Sequence, residues 1–183
     1  IVIEFEIANV LIKAQSKPDL FSPKALDIGT KLLLDSISTY DYTNALDWGC
    51  GWGAIGLWLA KHKPEANVTA LDSDIAAIAS TKHNVDMNNL TNIDVLPSHS
   101  FDELPADATF DLICSNPPTH RGREVVDGMI AQSFERLQDG GRLVLVVEAR
   151  IKPWVAREMT KAFGNYKILK RGPKNVVLLS VKA

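Results

Sequence analysis

LDWGCGWGAIG (46–56) decides how the rest of the chain is read. Its front, ALDW (45–48), has the run of a buried strand. Glycines at 49, 51 and 53 follow at once, and the apolar pattern over 54–62 is that of a helix. Glycine at such a junction lets the backbone turn tightly and approach a ligand with no Cβ in between, while the first helical turn presents unpaired N–H donors. Asp72 closes the next apolar stretch, NVTALD (67–72), about twenty residues beyond the loop, where a carboxylate can accept hydrogen bonds from both hydroxyls of a ribose. Loop and acid together predict a nucleoside-containing ligand.

Two ligands compete for that loop. Gly51, Gly53 and Gly56 also spell the G-x-G-x-x-G of dinucleotide enzymes, so a nicotinamide-dependent oxidoreductase is one reading. Asp47, two residues before the first glycine, separates them: a carboxylate there repels a pyrophosphate and favours a cationic sulfonium or an ammonium. That favours S-adenosylmethionine. A glycine turn with no ligand is the plain alternative, and the coincidence of strand, loop, helix and acid speaks against it.

Outward from the loop, strands alternate with helices. Strands are predicted at 45–48, 67–72, 93–97 (IDVLP), 110–115 (FDLICS) and 142–149 (RLVLVVEA), the last introduced by an Asp-Gly-Gly turn at 139–141. Helices are predicted near 54–62, 74–88, 123–138 and 153–163. This is the pattern of an α/β protein with a doubly wound, mainly parallel sheet covered on both faces. YKILKR (166–171) and NVVLLSVK (175–182) flank Gly172 and Pro173 as an antiparallel hairpin. At the front, Ile1, Ile3, Phe5 and Ile7 alternate with Glu4 and Glu6 as part of a short strand pair. QSKPDLFSP (15–23) is loop, and Ser22 and Pro23 are placed as N-cap and first residue of a helix reaching about Ser38, with Leu26, Leu33, Leu34 and Ile37 as its apolar stripe.

The 183 residues fit a single domain, 1–183, in which 1–22 form the strand pair and loop and 23–183 the catalytic core. Ile1 stands where a Met would open a full chain, which leaves room for residues upstream. No apolar run approaches the roughly 20 residues that span a bilayer, and the acidic start is unlike a signal peptide, so a cytoplasmic location is expected. Cys50 and Cys114 have no metal-ligand spacing and are expected reduced and buried, with no metal. Net charge is −2, but residues 142–183 carry ten Lys or Arg against two acids. Polyanion binding and an ordinary solvated face both account for that asymmetry.

SNPPTH (115–120) ends the fourth parallel-type strand, at the sheet edge where ligands of open α/β folds bind. Two prolines remove two backbone donors and leave carbonyl oxygens as acceptors, and the Asn116 side-chain oxygen beside them completes an acceptor pair. That pair suits an exocyclic amine or an amide nitrogen, whose lone pair is delocalised. Holding both its N–H groups on the Asn116 oxygen and the Pro117 carbonyl encourages pyramidal character and aims the lone pair at a methyl donor.

With LFSPKALDIGTKLLL (20–34), LDWGCGWGAIG (46–56), LDSD (71–74), SNPPTH (115–120) and DGGRLVLV (139–146) in this order, the chain resembles class I methyltransferases. Within them it resembles the small methyltransferase domain family, which includes ribosomal RNA guanine-N2 methyltransferases. The resemblance covers nearly the whole chain. It implies a seven-stranded sheet with an antiparallel last strand and a cytoplasmic enzyme that transfers methyl from S-adenosylmethionine to guanine N2 of ribosomal RNA. Adenine N6 and a glutamine amide are alternative acceptors.

The resemblance also implies roles. Gly49, Gly51 and Gly53 pass the methionine part and ribose, Asp47 lies near the amino group, Asp72 holds the ribose hydroxyls and Ser73 borders the adenine. Thr30 contributes near the methionine end. Asn116, Pro117 and Pro118 bind the target amine, Asn116 also facing the cofactor. Two positions depart from the family pattern. His99 stands where relatives usually carry Asp or Asn toward the adenine amino group, and Thr119 where an aromatic residue often stacks on the target base. Stacking then falls to Phe21 or His120. Arg121 and Arg123 are candidates for phosphate contacts, or a solvated helix start. Trp48, Trp52 and Trp58 read mainly as packing, with Trp52 nearest a bound cofactor; His62 and His83 read as helix surface. A noncatalytic RNA-binding module is the reading from a different class.

Overall fold

Near-continuous apolar strands can be buried only between two helical layers, and the computed structural model, which describes all 183 residues, has that form. The strands are β1 (Val2–Ile7), β2 (Val10–Gln15), β3 (Asn44–Trp48), β4 (Asn67–Asp72), β5 (Ile93–Pro97), β6 (Phe110–Ser115), β7 (Leu137–Glu148), β8 (Lys167–Arg171) and β9 (Asn175–Val181). The helices are α1 (Ile28–Ile37), α2 (Ala54–His62), α3 (Ile75–Met87), α4 (Arg123–Arg136) and α5 (Lys152–Phe163). β1 and β2 form a separate antiparallel pair; the other seven strands form one sheet in the order β5-β4-β3-β6-β7-β9-β8. β3 to β7 run parallel and β9 is antiparallel to both its neighbours. No helix is long and apolar enough to cross a membrane.

Alternation along the central strands divides two cores. Leu112, Cys114, Val144, Val146 and Val177 face Leu33, Leu34, Ile37 and Trp58, while Ile113, Leu143, Leu145, Val147, Val176 and Leu178 face Met129, Ile130, Val155 and Met159. The chain leaves β3 for β4 on one side and returns to β6 on the other. Their loops therefore diverge at the carboxyl edge and open a crevice there.

Three local expectations are corrected. The first helix begins at Ile28, not Pro23, because Ser22 has φ +48° and folds into a turn with its hydroxyl donating to the Ala25 carbonyl. The N-cap is Asp27, whose carboxylate accepts from the Thr30 amide at 3.1 Å. Asp-Gly-Gly does not precede β7 but bulges within it. Leu137 already pairs with Phe110, Gly140 takes φ +81°, and Gly140 and Gly141 stay bonded to Lys182. His62 is not a free surface residue: its ring stacks on Trp58 at 4.3 Å and lies 3.3 Å from the Tyr42 hydroxyl, and burial holds its pKa below the ordinary value.

The outer edge of β2 is closed by side chains of α3. Asn84 and Asn88, one turn apart, use their amides as a strand would: Asn84 accepts from the Gln15 amide at 2.8 Å and donates to the Gln15 carbonyl at 2.9 Å, and Asn88 does the same for Lys13. Asn84, fully buried, also donates to the Trp52 carbonyl at 2.8 Å, tying the hairpin to the glycine loop. Asn84→Leu strands these groups without opening a large cavity. We expect a loss of about 2–3 kcal/mol, read from the urea midpoint.

Candidate active site

A cavity of about 900 Å³ opens at the carboxyl ends of β3, β4, β6 and β7. Its wall includes Phe21, Thr30, Asp47, Gly49, Gly51, Asp72, Ser73, His99 and the run Asn116–Arg121; of the residues singled out above for cofactor or substrate, Gly53, Gly56 and Arg123 are not part of it. Gly53 stands behind the wall. It caps α2 at φ +106°, and a Cβ there would sit 3.0 Å from Thr81.

Gly49 and Gly51 have φ +76° and +56°, a conformation side chains disfavour, and a Cβ on either would enter open space. The loop is pinned from behind, with the Gly49 and Cys50 amides donating to the Leu71 carbonyl and the Thr81 hydroxyl to the Gly51 carbonyl. Asp72 crosses from the next strand: Oδ2 accepts from the Gly51 amide at 3.0 Å and Oδ1 from the Asp74 amide at 2.9 Å. Each oxygen keeps a further lone pair for a ligand hydroxyl.

Asp47 lies under the loop, 1% exposed. Oδ2 accepts from the Gly56 amide at 2.9 Å, occupying the first turn of α2, where a dinucleotide enzyme would place its pyrophosphate. Oδ1 is buried with no partner. Burial, chiefly, lifts the carboxyl pKa to about 7, opposed by the Gly56 hydrogen bond and reinforced by Asp72. A protonated amine reaching Oδ1 would satisfy it and stabilise its charged form. Because that form is the one depleted below pH 7, affinity for an ammonium-bearing ligand is expected to fall as pH drops from 8 to 6. Asp47→Asn should flatten the profile, as read by calorimetric titration with S-adenosylhomocysteine. The sign for stability is opposite: a raised carboxyl pKa favours the fold at low pH, and that contribution fades as pH rises toward 7.

At the far wall, Asn116 is half-buried and Pro117 buried. The Asn116 amide nitrogen donates to Asp27 Oδ2 at 3.0 Å and to Thr30 Oγ1 at 3.1 Å, which leaves the amide oxygen as the free acceptor. The prolyl carbonyls are less free than expected, since Pro117 accepts from the Thr119 amide at 2.8 Å and Pro118 from the Arg121 amide at 3.0 Å. A second lone pair remains on each. Asp27 is a wall residue that reading the sequence missed; its only signal there was the Asp-x-x-Thr spacing of a helix cap.

The rim is polar with one large exposed ring. Phe21 is 62% exposed, His99 and His120 are exposed, and Arg121 donates to the Ser73 hydroxyl at 2.9 Å, joining the two loops that flank the cavity. Arg123 is turned away: its guanidinium lies over Trp154 and 3.7 Å from Asp127. Trp52 is buried, its indole N–H donating to the Ser22 carbonyl. Cys50 and Cys114 are free thiols, buried and pushed up in pKa by desolvation.

A parallel sheet with an antiparallel strand next to its edge, a glycine loop with a ribose-type acid, and an acceptor beside two prolines define a class I methyltransferase. The chain belongs to the methyltransferase small domain family, whose model matches residues 12–179. It is 31% identical over 147 residues to the uncharacterized protein YbxB of Bacillus subtilis, covering 80% of this chain and 73% of that one. It is also 31% identical over 184 residues to the ribosomal RNA small subunit methyltransferase C of Erwinia tasmaniensis, covering 98% of this chain and 52% of that one. The 16S rRNA N2 methyltransferase (RsmC) of T. thermophilus, solved in complex with AdoMet and guanosine, superposes with a TM-score of 0.88 at 26% identity over 100% of this chain and 50% of that chain. The chain thus spans about half the length of the ribosomal RNA methyltransferases it matches.

Proposed function

We propose that residues 1–183 act as one methyltransferase domain that transfers methyl from S-adenosylmethionine to the exocyclic amine of guanine, N2, in ribosomal RNA, in the cytoplasm. The observation that carries this reading is the Asn116 amide, whose NH2 is bound to Asp27 and Thr30, which leaves its oxygen as the free acceptor on a cavity wall that Pro117 shares. The residues fit the cofactor: the orphaned Asp47 Oδ1 matches an ammonium, Asp72 matches a ribose, and Gly49 and Gly51 leave the space a nucleoside needs. When bound, the cofactor supplies an electrophilic methyl group on a cationic sulfur.

The remaining work falls to this chain. Asn116 and Pro117 take the two N–H groups of the amine, orient its lone pair and stabilise the positive charge that builds on nitrogen; one proton then leaves to solvent. The rigid Pro117–Pro118 pair keeps the acceptors from relaxing, and Phe21 offers a ring at the mouth for a splayed base.

The hairpin turn between β8 and β9 bears on the choice of RNA. Asn175 and Glu148 pair with each other and both line the cavity, so Arg171 and Lys174 stand at its edge, exposed and in no ion pair. Replacing both by alanine should weaken RNA binding and lower the slope of log K against log salt by about 1.5–2, leaving S-adenosylhomocysteine affinity unchanged. The substrate class is tested by offering labelled methyl donor with ribosomal RNA, DNA and a glutamine-containing release-factor protein in parallel. Label entering RNA alone is expected; label entering only DNA or protein assigns the same acceptor site to adenine N6 or a glutamine amide.

A further inference from the structure

We infer that Asp27 is a positioning residue for the methyl transfer proposed above, acting through Asn116 and never touching the reacting atoms; the inference rests on that reading. An amide oxygen and nitrogen are interchangeable in shape, so something must decide which of them faces the substrate. A carboxylate decides it, because it can only accept: the group 3.0 Å from Asp27 Oδ2 has to be the Asn116 NH2. Thr30 Oγ1 takes the second hydrogen at 3.1 Å, and the same Asp27 oxygen holds the Thr30 amide at 3.1 Å. Asp27, Thr30 and Asn116, 89 residues apart in the chain at the widest, form a closed triangle that locks the start of α1 to the exit of β6.

Two further observations point the same way. The carboxylate packs closely against Gly29, where a Cβ would lie 3.0 Å from Asp27 Oδ2 and 3.3 Å from Val146 and would press on both. Asp27 also belongs to none of the ion pairs, so no cation neutralises the charge it presents to the amide. A hydrogen bond from N–H to an anion shifts electron density onto the amide oxygen and strengthens it as an acceptor. Asp27 therefore sets both the direction and the strength of the Asn116 acceptor.

Asp27→Ser keeps a good helix cap but is too short to reach Asn116; Asp27→Asn keeps an acceptor without the charge. Both are expected to bind S-adenosylhomocysteine as the parent does. With saturating RNA, kcat should fall about a hundredfold in Asp27→Ser, less in Asp27→Asn, with KM little changed. Asp27→Ser combined with Asn116→Ala should be no slower than Asn116→Ala alone, because Asp27 has nothing left to act through. Full activity in Asp27→Ser, or losses that multiply in the double variant, would overturn the inference. A readout independent of turnover is the side-chain amide signal of Asn116 in 1H–15N spectra. Slow-exchanging in the parent and fast-exchanging in Asp27→Ser is the expected pattern, whether or not RNA proves to be the substrate; the same fast exchange in both proteins overturns it.

Discussion

Asn116→Ala is expected to lower kcat by about 10³-fold while changing S-adenosylhomocysteine affinity little. The side chain is held from behind by Asp27 and Thr30, so alanine removes the acceptor without releasing β6, whose Ser115 still donates to the Trp48 carbonyl at 2.6 Å. The loss falls on kcat because the hydrogen bond from a methyl-accepting amine would strengthen as its nitrogen gains positive charge, a gain absent from the ground state. Single-turnover transfer at saturating cofactor and RNA measures it. An effect confined to KM would mean that Asn116 merely binds the base.

The second large effect is the reverse in kind. Asp72→Ala is expected to weaken S-adenosylhomocysteine binding by about 10²–10⁴-fold, since hydrogen bonds to a charged acceptor contribute about 1.5–3 kcal/mol each and a ribose makes two. The change also frees the Gly51 and Asp74 amides, so the glycine loop loses one of its braces to β4, while the Leu71 carbonyl still holds the Gly49 and Cys50 amides. Asp72→Asn retains one acceptor and should fall between. Calorimetric titration reads the series, and an unchanged affinity in Asp72→Ala would remove the nucleoside from this end of the cavity.

Elements were legible where their runs are bounded by turn residues: 67–72, 93–97 and 110–115 coincide with β4, β5 and β6, and 54–62 with α2. The hairpin of β8 and β9 was legible from Gly172 and Pro173. Errors fell where particular hydrogen bonds, not a pattern, decide the backbone. Ser22-Pro23 has the composition of a helix start, yet the positive φ of Ser22 spends it on a turn and Asp27 takes the cap. Asp-Gly-Gly has the composition of a separating turn, yet the backbone of Lys182, just past β9, holds it within the sheet.

Much of the cavity wall was legible because Asp47, Gly49, Asp72, Ser73, His99 and Asn116 lie at or just beyond strand ends, whereas Thr30 on α1 and Phe21 in the loop before it came from the family resemblance. Its wiring was not. The bonds from Asn116 to Asp27, from Asn84 to Gln15 and from Arg121 to Ser73 join segments 89, 69 and 48 residues apart, and local spacing carries no trace of them. The same holds for the pairing of His62 with Trp58 and Tyr42, which a helix-surface reading passed over.

The most direct measurement is nucleoside analysis by mass spectrometry of ribosomal RNA lacking its native methyl groups, after incubation with the protein and isotopically labelled S-adenosylmethionine. Labelled N2-methylguanosine, absent with Asn116→Ala, is the expected result. Label in another nucleoside, or undiminished label with Asn116→Ala, would contradict the assignment of that site to the guanine amine.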